Sequence, residues 1–159
     1  MSSSMGFAPL RLVRAALIGG VYTALTLLFA PISFGPAQVR VSEALALLPW
    51  MWTEAIPGLF IGCIISNFVG GFGIIDMVFG SLATLAAAIL TSRMPNKILA
   101  AVPPVALNAL VVGGYLSSIL EIPVMPTMIY VGLGEAVACF GLGIPLLSLL
   151  ERRFRRGGC

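Results

Sequence analysis

Residues 42–68 read SEALALLPWMWTEAIPGLFIGCIISNF, and the fold turns on whether this stretch is one helix or two. Ser42 is a good N-cap with Glu43 just behind it, so a helix begins here. Pro57 suits the first turn of a new helix and would break the interior of an old one. The reading is a helix over residues 42–55 and another over 57–69. Both are short beside the roughly 20 residues that a bilayer crossing takes.

Outward from this stretch, longer apolar segments occupy residues 11–30, 75–92, 99–120 and 126–151. Pro31 to Pro36, the Gly70-Gly71-Phe72-Gly73 cluster, Arg93 to Lys97, and Glu121-Ile122-Pro123 punctuate them. The chain of 159 residues is 59% hydrophobic and only 9% charged, with a mean hydropathy of +1.07. A soluble domain carries about 25% charged residues because water must wet its surface. Here the outer surface must be apolar too, so the expected fold is an all-α integral membrane protein, one domain over residues 1–159.

Lysine and arginine set the orientation, since they stay on the cytoplasmic side of short loops. Arg11 and Arg14 place the N-terminus inside, and Arg152, Arg153, Arg155 and Arg156 place the C-terminus there as well. Two ends on one face need an even number of spans. Six also puts Arg93 to Lys97 inside, whereas fusing the two short segments gives five and separates the ends. Six transmembrane helices with both termini cytoplasmic is therefore the expectation. Arg11 and Arg14 before an apolar run also resemble a signal peptide, but no small-x-small cleavage site follows, so this segment reads as a retained first helix.

Several function classes fall away. A net charge of +3 is too small to argue for nucleic acid, and the arginines cap apolar runs instead of forming a stripe. There is no histidine, and Cys63, Cys139 and Cys159 have neither disulfide nor zinc-site spacing. A phosphate-binding loop and a nucleophile elbow are both missing from the sequence, so neither a cofactor nor a metal is expected and an enzyme is the weaker class.

What remains are polar groups that lipid would reject. A carboxylate near a helix centre costs about 2.5–3.5 kcal/mol on insertion scales, so such groups face a cavity or a partner. Glu135 and Asn108 lie deep in their segments, while Glu43, Asn67 and Asp76 fall near outer helix ends, which gathers polar candidates in the outer half of the bundle. Each has a structural rival. Glu43 can pair with Arg40 across one turn, Asp76 can act as a cap-region acid, and Asn67 and Asn108 can join helices. Trp50 and Trp52 suit an interfacial belt, and Glu54 reads as a solvated loop acid. Arg40 is the one basic residue left on the outer side. In the first helix Ala16, Gly20 and Ala24 recur every fourth residue, a groove into which another helix can press.

The run Pro31-Ile32-Ser33-Phe34-Gly35-Pro36 through Gln38, Arg40, Ser42 and Glu43 to Leu48-Pro49 resembles the QueT-type substrate-binding subunits of energy-coupling factor (ECF) transporters. So do Glu54-Ala55-Ile56-Pro57-Gly58-Leu59 with Gly62-Cys63, Asp76 with Gly80-Ser81-Leu82-Ala83-Thr84, Pro103-Pro104-Val105 with Asn108-Ala109, and Val131-Gly132-Leu133-Gly134-Glu135. Trp50-Met51-Trp52 fits the pattern less well. The resemblance covers nearly the whole chain. It implies a six-helix S component, a non-enzymatic subunit of a bacterial plasma membrane that captures a queuosine precursor, a 7-deazaguanine base. Its partners would be a transmembrane coupling subunit, met through Ala16, Gly20 and Ala24, and two ATPases.

The chemistry of such a base agrees with the polar candidates. A guanine-like edge offers two parallel N–H donors, which Glu135 or Glu43 would accept as a bidentate pair. Asn67, Asn108 or Gln38 would meet the carbonyl and ring nitrogen, Phe34 or Tyr115 would stack on the base, and Arg40 would sit in a loop that closes over it. An S component for a flavin or thiamin, a membrane enzyme and a structural bundle protein are the alternatives.

Overall fold

The computed structural model describes residues 7–35, 39–70 and 73–156. Gln38 lies outside the described residues. Among those described, the chain is helical with no strands. Helix α1 spans Phe7–Leu28 and the short α2 spans Ala30–Ser33; a 3-10 helix follows over Val41–Trp50, then α3 over Ala55–Gly70. Continuous helices α4, α5 and α6 cover Gly73–Thr91, Lys97–Leu120 and Val124–Phe154. Four helices, α1, α4, α5 and α6, are long and apolar enough to cross a membrane, and the 3-10 helix and α3 are shorter apolar helices. Large apolar side chains such as Phe68 and Ile74 are about three-quarters exposed around the bundle, at 76% and 75%, as a lipid-facing surface requires.

The 3-10 helix is the axis of the molecule. Ser42 through Pro49 are all buried, and Leu45, Leu47 and Leu48 form the core with Ile18, Tyr22, Leu59, Cys63, Ala88, Ala101, Cys139 and Leu147. Ten residues of 3-10 helix is a long run for a conformation usually confined to three or four residues. A length argument explains it. Its C-terminal Trp50 donates Nε1 to the Met94 carbonyl at 3.1 Å, and Arg40 at its N-cap pairs with Asp76. Along α4, Asp76 to Thr91 spans about 22 Å at the α-helical rise. Ten residues at the 3-10 rise reach about 20 Å, and as α-helix only about 15 Å. The longer rise per residue of the 3-10 helix suits this span better than α winding would.

α1 packs on α3 at backbone distance. A Cβ on Gly58 would collide with the Ala15 carbonyl, and one on Gly62 would lie 2.7 Å from the Gly19 carbonyl oxygen, so the glycines are what permit the crossing. Helices α4, α5 and α6 each carry a π-helical turn: Asp76–Gly80 in α4, Asn108–Val112 in α5 and Val137–Gly143 in α6. Each ends at or just before a glycine, Gly80, Gly113 or Gly143, against which a neighbouring element presses. Such bulges are rare and frequently mark functional sites.

One end of the bundle is basic and tied together. Arg14 donates to Glu54 at 2.5 Å and lies over the Trp52 ring at 4.9 Å, while Trp52 meets Phe154 edge-on at 5.1 Å. Lys97 donates to Ser148 at 2.9 Å and pairs with Glu151 at 3.5 Å. Glu54 is thus not a solvated loop acid: its side chain is 13% exposed and engaged by Arg14. Trp50 and Trp52 are half-buried and clamp this end.

Candidate functional site

At the opposite end, polar side chains from every long element converge. α1 brings Tyr22 and Thr26, the 3-10 helix Ser42 and Glu43, α3 Cys63 and Asn67, α4 Asp76 and Thr84, α5 Asn108 and Tyr115, and α6 Glu135. All but Tyr115, which is half-buried, are inaccessible or nearly so. Arg40 enters from the connection before the 3-10 helix and is buried as well, at 3% exposure.

Two linked clusters make up the site. In the first, Arg40 Nη2 lies 3.6 Å from Asp76 Oδ1, and the Tyr115 hydroxyl donates to the same oxygen. Asn67 Nδ2 donates to the Asp76 carbonyl oxygen at 3.0 Å and to Cys63 Sγ at 3.5 Å. Gly80 makes this convergence possible, since a Cβ there would lie 2.8 Å from Asn67 Nδ2 and 3.1 Å from both the Asp76 carboxylate and the Tyr115 hydroxyl. Arg40 also rests over the Phe34 ring, 5.5 Å from its centroid, and that ring occupies the place where a Gly70 side chain would be.

In the second cluster the Tyr22 hydroxyl donates to Glu43 Oε1, and Thr26 Oγ1 donates to Ser42 Oγ at 2.6 Å. Cys139 Sγ approaches the Glu43 carbonyl at 3.6 Å. Glu135 is within electrostatic reach of both Glu43 and Arg40, with Asn108 within hydrogen-bonding reach, and the charge on Arg40 reaches Glu43 as well. Burial opposes the charge on Arg40, but Tyr22, Cys63, Asp76 and Tyr115 around it hold its proton more firmly than usual. It is a permanent cation.

The buried side-chain oxygens left without a hydrogen bond include Glu43 Oε2, Asn67 Oδ1, Asp76 Oδ2, Asn108 Oδ1 and Glu135 Oε2. Asn67 is oriented by its two donations, so its oxygen is the free atom. Buried polar atoms are normally satisfied, and these five acceptors, with the Arg40 donors Nε and Nη2 likewise unpaired, mark a place where a guest with both donors and acceptors belongs.

Of the residues expected from sequence, Glu43, Glu135, Asn67, Asn108, Arg40 and Tyr115 meet in this network, with Phe34 at its edge. Two rival readings are overturned. Arg40 pairs with Asp76, not with Glu43, because its backbone is extended, with φ −92° and ψ 103°, and so leaves the face of the helix that carries Glu43. Asp76 is no cap-region acid, since it is fully buried and makes no capping bond. Tyr115 spends its hydroxyl on Asp76. Sequence reading overlooked Tyr22, whose mid-helix hydroxyl needs a partner at that depth, which was the available signal.

A family model, QueT transporter, matches residues 12–152. The chain belongs to the QueT transporter family. A protein of Lactococcus lactis subsp. cremoris (strain MG1363), "Queuosine precursor transporter QueT", is 38% identical over 76 residues, which cover 46% of this chain and 44% of that relative. The match thus spans less than half of the curated relative's length. No solved structure matches the chain. Membership of the QueT family accords with the apolar helical bundle, and it gives the buried polar network a context in transport.

On the face of α1 that points away from the network, Ala16, Gly20 and Ala24 are exposed. With Leu12, Thr23, Pro57, Ile61 and Ile65 among others they line a groove of about 560 Å³ between α1 and α3. A Cβ on Gly20 would meet nothing within 4 Å. Gly19, one residue away, is instead sealed against Gly58.

Proposed function

We propose that this chain is the substrate-capture subunit of an ECF transporter, binding a queuosine precursor, a 7-deazaguanine base such as the aminomethyl or cyano form. In this reading the chain crosses a bacterial plasma membrane six times with both termini in the cytoplasm, and the polar end faces outward. The coupling subunit docks in the groove at Ala16, Gly20 and Ala24, and two ATPases drive release. The protein itself performs no catalysis.

The set of unpaired, buried acceptor oxygens drawn from separate helices carries this reading. A guanine-like base has adjacent N–H donors on its pairing edge and another on its five-membered ring, and Glu43, Glu135, Asn67 and Asn108 supply acceptors for them. Arg40, over Phe34, offers the donors for a ring carbonyl. The family and the curated relative's name point to the same ligand class. Titration calorimetry of the detergent-solubilised protein with 7-deazaguanines tests it. Glu43→Gln or Glu135→Gln is expected to weaken binding at least about tenfold, the worth of a charge-assisted hydrogen bond. Unchanged affinity in both variants would overturn the assignment.

A further inference from the structure

At the basic end of the bundle a separate hollow of about 470 Å³ opens, lined by Leu10, Arg11 and Arg14 of α1 and by Trp52, Thr53 and Glu54 of the turn before α3. It shares no lining residue with the groove at Ala16, Gly20 and Ala24. Glu54 brings no net negative charge, because Arg14 holds it at 2.5 Å. Arg14 is fixed in turn by that pair and by the Trp52 ring, 4.9 Å away. Arg11 is different: it is exposed and pairs with no acid among the described residues. The hollow therefore carries one uncompensated positive charge.

Its depth and its rim indicate what could fill it. From Arg11 to Leu28 α1 rises about 26 Å, close to the roughly 30 Å of a hydrocarbon core, so Arg11 stands at headgroup level in whichever leaflet this end occupies. The α1 side chains around it, Leu10, Leu12, Val13 and Leu17, are all more than half exposed, as lipid-facing residues are. Tryptophan belongs at the same level. Basic pockets between helices at this depth suit anionic lipid headgroups. Free phosphate would meet the charge but make no use of the apolar rim. A zwitterionic headgroup would bring an ammonium, whose one counter-charge in the hollow, Glu54, Arg14 already takes.

We propose that this hollow seats the phosphate of an anionic phospholipid of the phosphatidylglycerol type. Arg11 supplies the charge. The Trp52 indole N–H and the Thr53 hydroxyl supply further donors, since neither is hydrogen-bonded among the described residues. The acyl chains lie along the exposed leucines of α1. This site stands at the opposite end from the polar network, and it does not rest on the substrate proposed above.

The chain has two tryptophans, Trp50 and Trp52, both at this end, so their fluorescence reports which lipids lie there. The intact chain is reconstituted in mixed phosphatidylglycerol and phosphatidylcholine vesicles in which one lipid or the other carries brominated acyl chains, bromine being a contact quencher. Phosphatidylglycerol is expected to associate about fivefold more strongly than phosphatidylcholine, the contribution of one arginine at an anionic surface. Arg11 is exposed, so Arg11→Gln is expected to fold normally and to bring that ratio close to unity. Arg93→Gln removes the same charge from the same end, outside the hollow, and is expected to leave the ratio unchanged. Equal quenching by the two lipids in the unmodified protein overturns the proposal, and so does a ratio that survives Arg11→Gln. A ratio lowered equally by Arg93→Gln overturns it as well, because only the net charge of this end is then being read. Reversal of the phosphatidylglycerol quenching by inorganic phosphate at constant ionic strength assigns the hollow to a free anion and overturns the lipid.

Discussion

Arg40 and Asp76 form an ion pair at 3.6 Å between the connection that enters the 3-10 helix and the π-helical turn of α4, with both side chains buried. Neither element has ordinary α geometry at this point, and the pair is where they meet.

Breaking that pair leaves one buried charge unmatched, which costs about 3–5 kcal/mol, whereas exchanging both partners for apolar groups is often neutral. Arg40→Met and Asp76→Leu are therefore each expected to lower the unfolding temperature in detergent markedly. The Arg40→Met/Asp76→Leu double variant is expected to be less destabilised than the sum of single changes. A thermal-shift double-mutant cycle measures this, and additive losses would show that the two side chains do not depend on each other.

This pair also shows where sequence reading stops. The apolar runs, the punctuating prolines and the polar residues at depth all follow from local patterns, and they led to the helices and to Glu43, Glu135, Asn67 and Asn108. Nothing local tells a 3-10 helix over Val41–Trp50 from an α-helix, because the difference lies in the elements packed around it. With the helix assumed to include Arg40, Glu43 falls one turn away and pairing looks natural; the helix instead starts at Val41, and the extended backbone at Arg40 lets its side chain reach α4. The π turns are hidden for the same reason. The glycines closing them, Gly80, Gly113 and Gly143, were visible as letters, but their role depends on what presses against them.

Gly80 gives a direct test of the site's geometry. Its missing side chain is the space in which Asn67, Asp76 and Tyr115 approach one another, so Gly80→Ala must push at least one of them aside by a few tenths of an ångström. Ligand affinity is expected to fall about tenfold or more, as small displacements of positioning groups do. Gly20→Ala, with open space around it, serves as the matched control and is expected to bind normally. Equal calorimetric affinities for the two variants would remove Gly80 from the site.

The same contrast separates packing within the chain from docking to a partner. Gly58→Ala drives a methyl group into the Ala15 backbone carbonyl, which cannot move without separating α1 from α3. Overpacking of this kind costs about 1–3 kcal/mol or more, so a lower unfolding temperature is expected. Gly20→Leu fills the outer groove instead. Stability is expected to hold while co-purification with a coupling subunit is lost. Retained co-purification would place the docking surface elsewhere.

Topology can be read from two exposed loop residues, because the five-span and six-span arrangements predict opposite outcomes. With the 3-10 helix and α3 as separate passes and the N-terminus inside, the loop at Arg93 is cytoplasmic and the turn at Glu121 is external. If those two segments made a single pass, Arg93 would be external and Glu121 cytoplasmic. Cys63 and Cys139 are buried, and with Cys63, Cys139 and Cys159 replaced by serine the background is free of thiols. Glu121→Cys is then expected to react with a membrane-impermeant maleimide on intact cells, and Arg93→Cys only after permeabilisation. The physical reason is the ties at the basic end. Arg14, Glu54, Trp52, Phe154, Trp50, Met94 and Lys97 are held together there by direct contacts, so the N-terminal part of α1, the turn before α3, the loop at Arg93 and the end of α6 share one face. Reversed labelling would overturn the arrangement of six passes with both termini in the cytoplasm.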